Sequence, residues 1–389
     1  MRISRYKKIL SLISSSGPQS RTRLAEEFNI TLSGTKRLVD ELLEKGILER
    51  TGLQKGESGR PSELFYFNPG YGLLAAIEIG RTTSKAALFD LSNSMVEQHT
   101  CATDFSVLPR DFITGLWSRV SAWLALRPGH RLLSVGFAAG GVVSPARMTV
   151  AHLHPEKEWQ AISLEGLHFN GHRPVVAPYA VAALTAEAVE GGLADLRDNA
   201  LFFHFGSNVV GAVLIEGKIY ENTNASHGHL GHMPLHNNTL RCYCGNTGCA
   251  ETLISTEGMV AQFQRAVAAG AANTLGSAVT LPAMIKAAAA SDRLCLRIFE
   301  EAARIAGGLL AGPVNLLSPR HVVLGGEIFF NDKKLGERLV TIIRNAIREQ
   351  SFYLNAESLT VRTSRLGNDS LIAGAALCAR NQWIENVSL

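Results

Sequence analysis

The sequence predicts an α/β protein in two parts: a winged helix-turn-helix head over residues 1–66, then a larger α/β body of two lobes with a cleft between them. Three observations predict it. The first 66 residues read as helix, short helix, turn, longer helix and a strand pair. The same 66 residues hold 12 Lys+Arg against 8 Asp+Glu, while the remainder balances at 26 against 26, so the whole net charge of +4 sits in the head. Finally, a strand–glycine turn–strand plan occurs at residues 72–90 and again at 201–220, one copy in each half of the body.

Composition bounds the class. With 389 residues, 46% hydrophobic and 19% charged, the chain can build two or three cores. No apolar run reaches the ~18 residues a membrane helix needs. The start, "MRISRYKKILSLISSSGPQS", is basic and then apolar like a signal peptide. Its apolar part is short, Ser-rich and helically periodic, and no A-x-A site follows, so it reads as an amphipathic helix and the expected location is cytoplasmic. The six cysteines agree with a reducing compartment: Cys101, Cys295 and Cys378 are scattered, while the other three cluster.

In the head, Ile9, Leu10, Leu12 and Ile13 recur at helical spacing until Gly17-Pro18 breaks the pattern. Ser20 is placed to cap "RTRLAEEF", and Thr31 to cap "LSGTKRLVDELLEKG", which turns Leu38, Leu42 and Leu43 inward and stops at Gly46. "ILERTG" and "ELFYFNP" form a strand pair around the basic, Gly-rich "LQKGESGRPS", which is a wing. Duplex DNA is the expected partner. Ser33, Thr35, Lys36 and Arg37 are the candidate base readers, with Lys55 and Arg60 serving the wing; Arg60, between Gly59 and Pro61, suits a narrow minor groove.

In the body, "LLAAIEIG" and "KAALFDLS" are strands joined by "RTTS", and "LLSVGFAAGGVV" is a buried strand ending in glycines. "AARIAGGLLAGPVNLLSP" is a long helix, "HVVLGGEI" a buried strand, residues 333–350 an amphipathic helix, "LTVRTS" a strand and "SLIAGAALCARN" a closing helix. Trp117 and Trp123 stand at helical spacing and are core residues.

The stretch "GHLGHMPLHNNTLRCYCGNTGCAE" brings His232, Cys242, Cys244 and Cys249 together. One imidazole and three thiolates suit Zn²⁺, and four protein ligands leave no open position, which marks a structural site. Gly245 and Gly248 let the chain wrap an ion.

"GHLGH" with "CYCGNTGCAE", "LSPRHVVLGGEI" and "GNDSLIAGAAL" together resemble the ROK family of repressors and sugar kinases. The resemblance implies an actin-like, ribonuclease-H-type body, with a first lobe over residues 72–185 to which a C-terminal helix at about 370–389 returns, and a second lobe over 186–369 carrying the zinc loop. It implies that zinc fixes the loop presenting His232 and Glu251 to a sugar pocket. It also implies that the chain is no kinase. The family's E-N-D-A-N motif corresponds to Ala177–Val181 here, so Tyr179 stands where the catalytic Asp would be, and an ordinary tyrosine is a poor base. D-I-G-G-T-K has become Glu78-Ile79-Gly80-Arg81-Thr82-Thr83, and "GSNVVGAV" has lost glycines. The family's sugar-binding Glu in G-E-I-G-H is His229.

These residues lead to a DNA-binding transcriptional regulator, expected to repress carbohydrate-related genes. A homodimer or higher oligomer would read two half-sites, and a sugar-derived effector would enter a catalytically dead cleft at Glu251, His232, His229, Tyr179 and Arg81. Arg81 and His229 add donor or cationic groups, which suggests a sugar acid or sugar phosphate; a decayed, empty pocket is the alternative. A sugar kinase with a regulatory head, or a regulator controlled by a protein partner, are the competing readings.

Overall fold

The computed structural model describes residues 2–54, 61–153, 156–193, 198–221, 227–276, 279–353 and 357–388. In the head, helices Arg2–Ser16, Arg21–Phe28 and Leu32–Glu44 pack on a three-stranded sheet ordered Gln19–Ser20, Ser62–Phe67, Leu48–Gln54. The caps form as the residue types require: Ser20 accepts from the Arg23 N–H and Thr31 from the Gly34 N–H, and Asn29 ends the short helix at φ +46°. Ile9, Leu10, Ile13, Leu24, Leu38, Leu42, Phe65 and Phe67 are fully or nearly fully buried in its core. Arg21 ties the head together, reaching Asp40 at 2.6 Å and Glu63 at 2.9 Å while stacking on Phe65.

The body contains two five-stranded mixed sheets on one plan. The first runs Val175–Pro178, Leu132–Ala139, Leu73–Ile79, Thr83–Asp90, Met95–Ala102. The second runs Lys218–Ile219, Val209–Ile215, Ala200–Phe205, His321–Gly325, Thr360–Thr363. In each sheet an antiparallel hairpin is extended on one side by parallel strands. A small sheet, Val142–Ser144, Thr149–Ala151 and Ala161–Ser163, is attached beyond the first.

Two helices fill the space between the sheets. Ser370–Asn386 lies on the first sheet and against Tyr179–Val189, which in turn packs on the second. The approach is close enough to require glycine. A Cβ on Gly136 would sit 1.9 Å from Ala375 O, and one on Gly374 would sit 1.8 Å from Ala182 O. Helix Pro109–Ala125 covers the first sheet, and Trp117 and Trp123 pack half-buried against that lobe's core. Helices Thr256–Ala268, Leu281–Ala289, Arg293–Leu317 and Lys333–Gln350 build the core of the second lobe. Among the described residues no helix is long and apolar enough to cross a membrane.

The head is docked on the body through a shared apolar core, in which helix Arg2–Ser16 meets Ser370–Asn386 and Tyr179–Val189, and through a buried guanidinium. Arg380 is 0% exposed, and it donates to Ser14 Oγ at 3.1 Å, Ser14 O at 3.0 Å, Tyr66 Oη at 3.3 Å and Leu91 O at 3.3 Å. It also stacks on Phe67. Ser14 donates in turn to Asn381 Oδ1, and Lys7 to the Glu385 carbonyl.

Candidate metal centre, inter-lobe cleft and DNA-binding face

The metal-ligand candidates converge. His232 ends a 3₁₀ turn, Leu230–His232, and the cysteines follow on a loop closed by Cys242 N–H to Asn246 O at 2.8 Å and Gly245 N–H to Cys242 O at 3.1 Å. Gly245 and Gly248 adopt φ +96° and +89°, which no side chain adopts easily. One ligand atom from each of His232, Cys242, Cys244 and Cys249 lies within 4.8 Å of all the others. Cys242 Sγ is 3.6 Å from His232 Nδ1, and Cys244 Sγ is 3.6 Å from Cys249 Sγ. Sulfurs held at Zn–S bonds of about 2.3 Å in a tetrahedron stand roughly 3.8 Å apart, so the donor set and its spacing could hold a metal ion. The other imidazole nitrogen, Nε2, lies 3.4 Å from Tyr243 Oη, a contact that orients the ring and that the sequence did not reveal.

Beside this loop the two lobes meet at Arg81, which leaves the glycine turn of the first sheet and enters the second lobe. Its guanidinium stacks 5.0 Å from the centre of the Tyr243 ring, faces Glu251 Oε1 at 3.9 Å and Glu257 Oε1 at 3.8 Å, and donates to Ser207 O at 3.4 Å. Arg81 thus faces two carboxylates at ion-pair distance, while its buried Nε and Glu251 Oε1 have no hydrogen-bond partner. Glu251 is buried and accepts from the Val209 N–H at 3.1 Å, and burial pushes its pKa up. His229 lies with its ring 5.9 Å from that of His232, and its buried Nε2 has no partner.

Tyr179 opens its helix at the inner wall of the cleft. Burial, reinforced by the charge of Glu78, keeps its phenol pKa well above the ordinary value, so it stays protonated at neutral pH and cannot take up a proton as an aspartate would. The imidazole of His204, with its ring centre 5.9 Å from that of Tyr179, is held at about 4 by burial. The sequence did not reveal the network behind Tyr179, in which Lys85 reaches Asp369 Oδ1 at 2.8 Å and the Asn368 carbonyl.

On the head, Ser33, Lys36 and Arg37 are exposed along the helix Leu32–Glu44. Thr35 is not a base reader: it is 0% exposed, and its hydroxyl donates back to Thr31 O at 3.1 Å, because it faces the same side of the helix as Leu38. Lys55 and Arg60 lie outside the described residues.

The ROK family profile matches residues 74–382, and a winged helix-turn-helix DNA-binding profile matches residues 7–49. The DNA-binding transcriptional repressor Mlc of Escherichia coli strain K12 is 25% identical over 379 residues, covering 95% of this chain and 91% of Mlc. The crystal structure of a ROK family transcriptional regulator, a homologue of E. coli Mlc, superposes with a TM-score of 0.77 at 21% identity, covering 98% of this chain and 96% of that one. The ROK glucokinase of Streptomyces griseus, solved with glucose and AMPPNP, gives a TM-score of 0.63 at 24% identity over 79% of this chain and 99% of its own. With a winged helix-turn-helix head on an actin-like body of the sugar-kinase type, the chain belongs to the ROK family.

Proposed function

We propose that the chain is a DNA-binding transcriptional repressor of carbohydrate-related genes, acting in the cytoplasm as a homodimer or higher oligomer, with a sugar-derived effector in a cleft that performs no catalysis. The observation that carries this reading is the pairing of an exposed polar face on the helix Leu32–Glu44 with a body whose catalytic position holds a buried tyrosine. Ser33, Lys36 and Arg37 read or steer toward the duplex, while Lys55 and Arg60 belong to the same reading through their place in the wing sequence.

The metal is zinc, held by His232, Cys242, Cys244 and Cys249 in a structural role. It supplies no chemistry to a substrate. It fixes the loop that sets Tyr243 against Arg81, and so braces the wall carrying Glu251, His229 and His232. Relatives named as DNA-binding transcriptional regulators support the regulator reading, among them the repressor Mlc and the dual regulator NagC of E. coli, as does the alignment of 95–96% of this chain with 91% of each of them.

Phosphoryl transfer would need a group able to take a hydroxyl proton at neutral pH, and neither Tyr179 nor the deeply buried His204 is such a group. Incubation of the purified chain with ATP, Mg²⁺ and a panel of hexoses is expected to release no ADP above background in a coupled assay. Turnover at an ordinary kinase rate, on the order of 1 s⁻¹ or more, would return the chain to the kinases.

A further inference from the structure

The chamber between the lobes, ≈ 210 Å³ in volume, has a charge pattern that the loss of a catalytic base does not explain. Glu78 and Lys85 stand opposite each other on the hairpin of the first sheet and both line this chamber. Lys85 is drawn away, bonded to Asp369 and the Asn368 carbonyl, and Asp369 also accepts from Gln98 at 3.0 Å. Glu78 is left 5% exposed, and its Oε2 has no hydrogen-bond partner. The hydroxyl of Tyr179, a residue 4% exposed in the same wall, has none either. Glu327 adds a second carboxylate to the lining. Arg81 is not part of that lining and faces Glu251 and Glu257 instead.

An anionic ligand group entering here would meet Glu78 and Glu327 and find the one lysine of the lining already paired. A hydroxyl could donate to Glu78 but would leave its charge uncompensated. An ammonium group does both, and a charge-assisted hydrogen bond is the interaction a desolvated carboxylate lacks.

We propose that this chamber binds a primary ammonium group carried by a small polyhydroxylated effector, an amino sugar, with Glu78 as its counter-ion and the Tyr179 oxygen accepting a second hydrogen bond. The inference rests on the reading of the cleft as the effector site, and it replaces the anionic effector suggested by the sequence. Burial raises the Glu78 carboxyl to about 7, against the opposing pull of Lys85 and of the neighbouring Tyr179 hydroxyl.

The test is calorimetric titration of the full-length protein with glucosamine, galactosamine and mannosamine, each beside its parent hexose and its 6-phosphate, and with MgCl₂ alone. At least one amino hexose is expected to bind tenfold or more tightly than its parent. Glu78→Gln should reduce the preference for the amino hexose over its parent to within about twofold, and Glu78→Asp, which keeps the carboxylate, should retain part of it. The proposal is overturned if parent hexoses or sugar phosphates bind as tightly, if nothing in the panel binds, if the preference survives Glu78→Gln, or if Mg²⁺ alone saturates a Glu78-dependent site. Selection of DNA by the same protein separates the two readings. A chain that enriches a DNA motif but shows no amine preference loses this proposal and keeps its regulatory role, whereas one that enriches no DNA loses the role itself.

Discussion

At the scale of single residues, the His232, Cys242, Cys244 and Cys249 cluster shows what local spacing can specify. Three thiols within eight residues can be read from sequence because the loop that gathers them is short and its glycines supply the required turns. Tyr243 could not be read in the same way, since its importance depends on where His232 and Arg81 point. Nor could the Lys85–Asp369 pair, whose partners are 284 residues apart in the chain. Thr35 shows the converse error: composition put a polar residue on the reading face, while the helical repeat turned it inward. If the cluster holds structural zinc, Cys249→Ser should reduce metal content from about one equivalent to below about half and lower the thermal midpoint, because metal binding is coupled to folding. His236→Ala, at an exposed position outside the cluster, should change neither. Elemental analysis with a melting curve checks both variants.

At the scale of elements, the strongly periodic segments were the legible ones. The head helices, the long helix Arg293–Leu317 and the amphipathic Lys333–Gln350 each bury one stripe, and their caps are where Ser, Thr and Asp side chains can satisfy free N–H groups. The strand Met95–Ala102 was not anticipated. None of its residues is buried, and it lies at the sheet edge. The three-residue strands of the small sheet are too short to show a period of two. The helix Ser370–Asn386 was anticipated, but its role as the seat of the head was not, because that depends on Arg380 meeting Ser14 and Tyr66. Arg380→Ala leaves Ser14 O, Leu91 O and the Tyr66 hydroxyl short of a donor in a buried site, a cost on the order of 2–4 kcal/mol. It should also undock the head: calorimetry should resolve an early head transition from the later melting of the body. A single transition at the wild-type temperature would show that the contact holds nothing in place.

At the scale of the molecule, one helix links the two functional regions. Ser370–Asn386 begins at the cleft, where Ser370 and Leu371 line the inner chamber. About 25 Å of helix length separates its ends, and its distal half carries Arg380 and Asn381 to the head. The close packing at Gly136 and Gly374 leaves this helix little room to shift without moving its neighbours. A ligand that changes how the lobes meet therefore has a mechanical route to the DNA-binding face, which is what a sugar-responsive repressor requires.

The central claim is that this body serves a sequence-specific DNA reader. Selection of randomised duplex DNA by the purified full-length protein, followed by sequencing, tests it most directly, with the Lys36→Ala/Arg37→Ala double variant run in parallel. One enriched motif of two related half-sites is expected, lost in the double variant. Wild-type protein that enriches no motif, binding every duplex alike and releasing it as salt rises, would show that the head does not read sequence.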